Sequence, residues 1–285
     1  MAQLKSLLTP GKLLVAPGIY DGISARVADV VGFDVLYMTG YGAVGSHLGL
    51  PDAGLATYTE MVGRVDVIAN AISVPLIADG DTAYGALLNV ERTVRGYERA
   101  GAAAIQIEDQ EYPKKCGHTP GKRVIDIEDW GQKIKVAAET RSSSDFLIVA
   151  RTDARAVNGL DDALRRAEVA AEAGADILFV EAPTSEAEMQ AICTNTDCPQ
   201  LINVVEGGKT PVLPAETYAE IGYQVAIHPG AGFMVAAEAF KGMYGHIKNT
   251  NSSLGAATPM MDFGEISRIM GFEAVWDFES RHARD

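Results

Sequence analysis

The sequence predicts an α/β protein, a (β/α)8 TIM-type barrel, on three observations: eight short apolar runs, helical stretches between them, and glycines at the joints. The runs are 13–16, 35–38, 75–78, 104–107, 146–150, 177–180, 200–204 and 224–227. Their near-continuous hydrophobicity is what parallel strands covered on both faces require. Stretches 59–71, 90–100 and 160–173 repeat apolar residues at helical spacing and carry charge on the opposite side. Gly32, Gly101, Gly174 and Gly222 each close a helical stretch one or two residues before a strand, as a glycine helix terminus should. A doubly wound sheet is the rival arrangement, but no GxGxxG follows the first run.

At 285 residues the chain is within the range of a one-domain barrel. The barrel is assigned to 1–248, and 249–285 is read as a C-terminal loop and helical extension of the same domain. That extension opens with NTNSSLGAATP and resumes a short helical pattern over 262–270. With 47% apolar and 22% charged residues the composition is that of a globular protein, and no apolar run is long enough to span a bilayer. No basic region followed by a long apolar core stands at the N-terminus, so a cytoplasmic location is expected. Three cysteines, an odd number without zinc spacing, argue against disulfides, and Cys193 and Cys198 read as packing residues. A net charge of -14 argues against nucleic acid or an anionic membrane as a partner.

Barrel enzymes carry their chemistry at the C-terminal strand ends, so the residues just after each run matter most. The second run offers Tyr37, Thr39, Gly40 and Tyr41, the third Asp79 and Asp81, and the fourth Glu108 and Asp109. Arg151 and Asp153 follow the fifth, Glu181 the sixth, Asn203 and Glu206 the seventh, and His228 the eighth. Asp79, Asp81 and Glu108 supply the hard oxygen ligands that Mg²⁺ prefers, and Mn²⁺ can substitute. His47, His246 and His282 have no such company and read as ordinary.

The stretch 108–122, EDQEYPKKCGHTPGK, departs from the strand pattern. It sets Cys116 among Lys114, Lys115 and His118, the electropositive setting that makes a thiol useful for proton or nucleophile work. Gly117 and Gly121 would let the loop change shape, and mobility over about 111–123 is expected without ligand.

KKCGH after a strand ending in IED resembles the signature loop of the isocitrate lyase and phosphoenolpyruvate mutase superfamily, in the branch of 2-methylisocitrate lyases, 2,3-dimethylmalate lyases and oxaloacetate hydrolases. The resemblance runs from about Gly18 to about Phe240. It implies a carbon-carbon lyase acting on a small di- or tricarboxylate, in which Asp79 binds Mg²⁺ directly while Asp52 of LGLPD, Asp81 and Glu108 act through bound waters. Thr39, Gly40 and Tyr41 correspond to a turn that binds the oxo-acid carboxylate, and Glu181 and Asn203 match positions near the substrate. The family further implies a homo-oligomer, a dimer of dimers with the last barrel helix exchanged between paired subunits.

On this reading Arg151 binds the substrate oxygens, Tyr37 assists loss of the hydroxyl proton, and Cys116 protonates the carbanion left by cleavage. Gly117 and His118 offer backbone N–H groups to a carboxylate, and Lys114 adds charge. Val205 and Met234 stand where, on this reading, 2-methylisocitrate lyases carry threonine and arginine, which favours 2-alkylmalates such as 2,3-dimethylmalate over 2-methylisocitrate. Oxaloacetate hydrolysis to oxalate and acetate, and a non-catalytic barrel that only binds a metal or diacid, are the alternatives.

Overall fold

A computed structural model describes residues 3–117 and 121–283. All eight strands form where the apolar runs lie: β1 Leu14–Ile19, β2 Leu36–Met38, β3 Leu76–Asp79, β4 Ala104–Glu108, β5 Leu147–Thr152, β6 Ile177–Val180, β7 Leu201–Asn203 and β8 Val225–His228. Around them stand α1 Leu4–Leu7, α2 Gly22–Val31, α3 Gly40–Leu48, α4 Tyr58–Ala69, α5 Leu87–Arg99 and α6 Ile127–Thr140. The second half adds α7 Leu160–Glu172, α8 Glu186–Asn195, α9 Ala215–Ile221, α10 Ala231–Thr250, α11 Phe263–Ile269 and α12 Phe272–His282.

Neighbouring strands are parallel, in the order β6-β5-β4-β3-β2-β1-β8-β7. A parallel bridge between Leu178 and Gln200 brings the two ends of that sheet together, so the barrel is nearly closed. The joints behave as their glycines require: Gly32, Gly101, Gly174 and Gly222 all have positive φ, between 93° and 121°. A Cβ is disfavoured there, and each glycine ends its helix and turns the chain towards the next strand.

Side chains of a strand alternate between two faces, and this sorts the core into two layers. Leu147 and Val149 of β5 point into the barrel with Leu14, Ile77, Ala104, Ile177 and Leu201. Ile148 and Ala150 point outward, into the layer beneath the helices with Leu76, Ile105 and Trp130. Leu4 of α1, 1% exposed, packs into the inner layer and closes the end of the barrel away from the strand C-termini. The same alternation carries Tyr37, Asp79, Gln106, Glu108, Arg151, Glu181 and Asn203 inward at the opposite end, so these polar side chains are buried.

The C-terminal part differs from expectation in extent. The pattern over 262–270 forms α11, with Asp262 capping its N-terminus, but α12 follows and was not foreseen. No residue of α10, α11 or α12 is buried, and Phe240, Trp276 and Phe278 stay more than half exposed. Among the described residues no helix is long and apolar enough to cross a membrane.

Candidate active site

One cavity of about 290 Å³ opens at the C-terminal rim. Its polar wall includes Tyr37, Thr39, Asp79, Arg151, Glu181 and Asn203; Cys116 and Gly117 roof it; Val205, Ile227, Pro229 and Met234 form an apolar side. Asp79 and Cys116, far apart in sequence, therefore face the same space.

Register explains the polar wall. Glu108 of β4 lies beside Arg151 of β5, and Asp79 of β3 beside Gln106 of β4. Arg151 Nε is 3.4 Å from Glu108 Oε2 and 2.9 Å from Asp153 Oδ2, and its Nη2 is 3.3 Å from Glu181 Oε2. The guanidinium also lies over the Phe179 ring, 5.2 Å from its centre. Burial opposes its charge, but the Asp153, Glu108 and Glu181 carboxylates outweigh that and hold the pKa well above the usual value. Arg151 stays charged and is fixed on several sides before any substrate arrives.

Asp79 is pinned by three donors: Gly40 N–H to Oδ2 at 3.2 Å, and Asp81 N–H and Gln106 Nε2 to Oδ1 at 3.1 and 3.3 Å. A Cβ at position 40 would come within 2.6 Å of Asp79 Oδ2, so glycine is needed for this approach. The Gly40 N–H is thus committed to Asp79 rather than to a substrate carboxylate. Thr39 lines the cavity, and Tyr41 stands half exposed at its mouth with its ring edge-on to Phe233.

The loop after β3 holds Asp81, Ala83 and Tyr84 at positive φ without glycine, a strained backbone that its neighbours hold in place. Thr93 Oγ1 donates to Ala83 O, Lys133 Nζ to Thr82 O and Tyr97 Oη to Asp79 O. Lys114 Nζ sits between Asp52 and Asp81, 2.5 and 2.6 Å from their Oδ1 atoms. Sequence reasoning assigned this lysine to the substrate; the structure turns it to the acids. Burial raises the Asp81 pKa to about 7 against the pull of Lys114, with Asp79 and Asp52 pushing the same way as burial. Burial likewise raises Glu108 well above the carboxylate range, and its Oε1 is buried without a hydrogen-bond partner. Four carboxyl groups, Asp52, Asp79, Asp81 and Glu108, thus crowd around the single Lys114 ammonium and the Arg151 edge, and the raised pKa values of Asp81 and Glu108 show that their charge is unfavourable without a further cation; oxygen donors of this kind suit a hard one. Among the described residues no three acid, histidine or cysteine side chains close on one point as a finished ligand set.

Tyr37 donates to Gln106 Oε1 at 3.1 Å, and burial raises its phenol pKa well above 10. It is a hydrogen-bond donor here, and a poor base. Asn203 Nδ2 reaches both oxygens of Glu181, at 3.3 and 3.1 Å. Gly117 fits only as glycine, since a Cβ would lie 2.5 Å from Arg151 Nη2 and 2.8 Å from Glu181 Cδ. The described part of the loop is packed onto the barrel: Lys114 and Lys122 are buried, and Tyr112 Oη donates to Gly54 O at 2.7 Å. The mobility expected over about 111–123 would have to break the pairs of Lys114 and Lys122. His118 lies outside the described residues.

Sequence reasoning missed Gln106, Lys122 and, as cavity residues, Ile227, Pro229 and Gly230. Gln106 could have been found as the one polar residue inside the run AAAIQI. Asp109, a rim acid by position, instead faces away from the cavity. It accepts from Thr152 Oγ1 at 2.6 Å, Asp153 N–H at 2.9 Å and Arg166 Nη1 at 3.2 Å, while burial raises its pKa to about 6.

Asp153 gives a pH prediction. Burial would raise its pKa, but Arg151 and Lys122 outweigh it and hold the carboxyl at about 2, below its ordinary 3.8. A depressed native pKa contributes stability that is present above pH 3.8 and lost as pH falls towards 2. Urea midpoints measured from pH 5 down to about pH 2 are expected to drop in the natural chain. The Asp153→Asn variant should start lower and lose this part of the slope.

A cavity at the strand C-termini, walled by charged side chains with opposed pKa shifts and roofed by a thiol, is the working end of a barrel enzyme. Comparison with known proteins narrows the class. A family model described as phosphoenolpyruvate phosphomutase matches residues 4–248. The 2,3-dimethylmalate lyase of Eubacterium barkeri is 46% identical over 282 residues, covering 99% of this chain and 98% of that one. The 2-methylisocitrate lyase of Aeropyrum pernix is 41% identical over 280 residues, covering 98% and 89%. The structure of oxaloacetate acetylhydrolase in complex with the inhibitor 3,3-difluorooxalacetate superposes with a TM-score of 0.94 at 33% identity, covering 99% and 97%. The chain belongs to the phosphoenolpyruvate mutase and isocitrate lyase superfamily and is an enzyme of its lyase type.

Proposed function

We propose that the chain cleaves the C2–C3 bond of a 2-alkylmalate such as 2,3-dimethylmalate, giving pyruvate and a short monocarboxylic acid, with Mg²⁺ as cofactor. The observation that carries this reading is the shared cavity: Asp79, Arg151 and Cys116 face an apolar wall of Val205, Ile227, Pro229 and Met234. Likeness to 2,3-dimethylmalate lyase supports it.

A charge argument supports the metal. Arg151 already faces Glu108, Asp153 and Glu181, and Lys114 faces Asp52 and Asp81, so the rim has no cationic surplus for a dianion. Asp79, with Asp52, Asp81 and Glu108 around it through water, would hold the cation, and the unpartnered Glu108 Oε1 fits that role. Bound there, Mg²⁺ would supply Lewis-acid stabilisation of the negative charge that develops on the substrate oxygens. Arg151 orients the same oxygens from the β5 side. A carboxylate of the cavity wall takes the 2-hydroxyl proton, and the O–H electron pair forms the C=O of pyruvate as C2–C3 breaks, leaving the bond's electron pair on C3. The Cys116 thiol then donates its proton to C3, and the closed loop keeps bulk water from doing so. Tyr37, held protonated, steadies Gln106 and through it Asp79. Gly117 lets the loop backbone approach Arg151 and Glu181.

Specificity rests on the apolar wall. The extra carboxylate of 2-methylisocitrate would lie unpaired against Val205 and Met234, and burying an unpaired charge is costly. In a coupled pyruvate assay, kcat/KM for 2,3-dimethylmalate is expected to exceed that for 2-methylisocitrate by at least about tenfold. Met234→Arg should narrow the gap, and a natural preference for the tricarboxylate would refute the assignment. Oxaloacetate hydrolysis, with water adding at C2, is the second reading, favoured by the likeness to oxaloacetate acetylhydrolase. Oxalate measured separately from oxaloacetate separates the two.

The helices beyond the barrel support a homo-oligomer. A groove between α2 and α10 is lined by Val27, Val31, Phe233, Ala237 and Phe240, and α12 exposes Phe272, Trp276 and Phe278. Unpaired apolar surface of this extent suits exchange of the C-terminal helices in a dimer of dimers. Multi-angle light scattering is expected to give a tetramer, reduced to a smaller species by Trp276→Glu. The three cysteines, none in a disulfide, suit a reducing cytoplasm.

A further inference from the structure

Lys122 has no part in the reaction as described, yet its side chain is 2% exposed. Its ammonium donates to two acceptors from different parts of the fold: the Gly117 carbonyl, in a short contact, and Asp153 Oδ1 at 2.6 Å. Gly117 is the residue after Cys116. The same Asp153 grips Arg151 twice, from Nε at 2.9 Å and from Nη2 at 3.1 Å. Asp153 is itself anchored by its backbone N–H on Asp109 Oδ1, at 2.9 Å, and Asp109 is held by Arg166. A continuous chain of buried polar contacts thus runs from the thiol loop through Lys122 and Asp153 to the substrate arginine.

We propose that Lys122 is a positioning residue that registers Cys116 against Arg151, by tying the Gly117 carbonyl to the carboxylate that fixes the guanidinium. Arg151 is already fixed by Glu108, Asp153 and Glu181, and the loop before Cys116 is held by Gln110 on Lys115 and by Asp52 and Asp81 on Lys114, so the contact of Lys122 is the one that ties the loop after the thiol to the arginine's own carboxylate. Arg151 belongs to β5, and its place is set by the sheet register. The thiol belongs to a loop that must bring its sulfur over the cavity, and Lys122 gives the loop a fixed point on the strand beside it. Without the ammonium, Gly117 O loses a buried charged donor, and nothing else described from the β5 side holds the loop at that carbonyl. An acid displaced by about 1 Å from its carbon is enough to slow proton transfer strongly. The inference rests on the proposed lyase reading only for that kinetic consequence; the geometric claim concerns the loop alone.

The test is iodoacetamide alkylation of the intact chain at one fixed pH, without substrate, with Cys116, Cys193 and Cys198 followed separately by peptide mass mapping. Cys193 and Cys198 are half-buried thiols whose pKa burial pushes up to about 12, so they report general unfolding. Lys122→Met is expected to raise the Cys116 rate by at least about tenfold with the other two unchanged, because a lost charged hydrogen bond shifts local opening by that order. Asp153→Asn should raise Cys116 selectively as well, and the double variant should add little to the larger single effect, since both cut the same tie. Three results would overturn the proposal: an unchanged Cys116 rate in Lys122→Met, a joint rise at all three thiols, or a double variant equal to the product of the singles. Because no substrate is used, failure of the lyase reading on every diacid leaves this outcome readable. In the active enzyme, Lys122→Met should lower kcat with a smaller change in KM.

Discussion

Cys116→Ser is expected to lower kcat by about 10²–10⁴ while leaving KM and the folded structure near their natural values. The sulfur roofs the cavity and takes no part in the two core layers, so the exchange removes an acid without opening a void. A serine hydroxyl has the same reach but holds its proton far more tightly, and the carbanion at C3 would wait for water that the loop keeps out. Pyruvate release followed in a coupled assay reads the loss, and far-ultraviolet circular dichroism checks the fold. Turnover at the full natural rate would remove the thiol from the mechanism and leave the role of the acids untouched.

Arg151→Ala should be damaging in two ways. The guanidinium is buried and offsets Glu108, Asp153 and Glu181, so removing it leaves three buried carboxylates facing one another. Breaking a buried ion pair from one side costs about 3–5 kcal/mol, which for a chain of this kind is a large share of its stability. The substrate also loses the cation that orients its oxygens, so kcat/KM should fall with KM rising. Arg151→Lys should recover part of the stability but little of the activity, because an ammonium cannot reproduce the two contacts to Asp153 together with that to Glu181. Urea denaturation and steady-state kinetics on the same preparations separate the two losses.

Much of this was legible in the chain. A parallel barrel strand is buried on both faces, so it must be apolar along its length, and the eight runs stood out for that reason. Polar residues an even number of positions beyond an inward apolar one are carried to the rim by the strand period, which is how Arg151 follows Leu147 and Val149, and Glu108 follows Ala104. The helix-ending glycines were equally plain, because left-handed backbone favours that residue.

What escaped were contacts made across the fold. Lys122 and Asp153 are 31 residues apart and meet only because the loop folds back onto β5. Lys114 carries a charge that suits a substrate carboxylate as well as it suits Asp52 and Asp81; only the burial of all three shows which it serves. The burial that raises the Tyr37 pKa is likewise a property of the assembled barrel. The second C-terminal helix, α12, carries its apolar residues on a face that no other part of the described chain covers, so its pattern had no partner to announce it.

The most direct measurement is pyruvate release from 2,3-dimethylmalate by enzyme stripped with EDTA and titrated with Mg²⁺. We expect no turnover in EDTA and a saturable return of activity on adding the ion, with one pyruvate formed for each diacid consumed. Undiminished turnover in EDTA would contradict the role given to Asp79 and its neighbouring acids, and consumption of the diacid without pyruvate would contradict cleavage between C2 and C3.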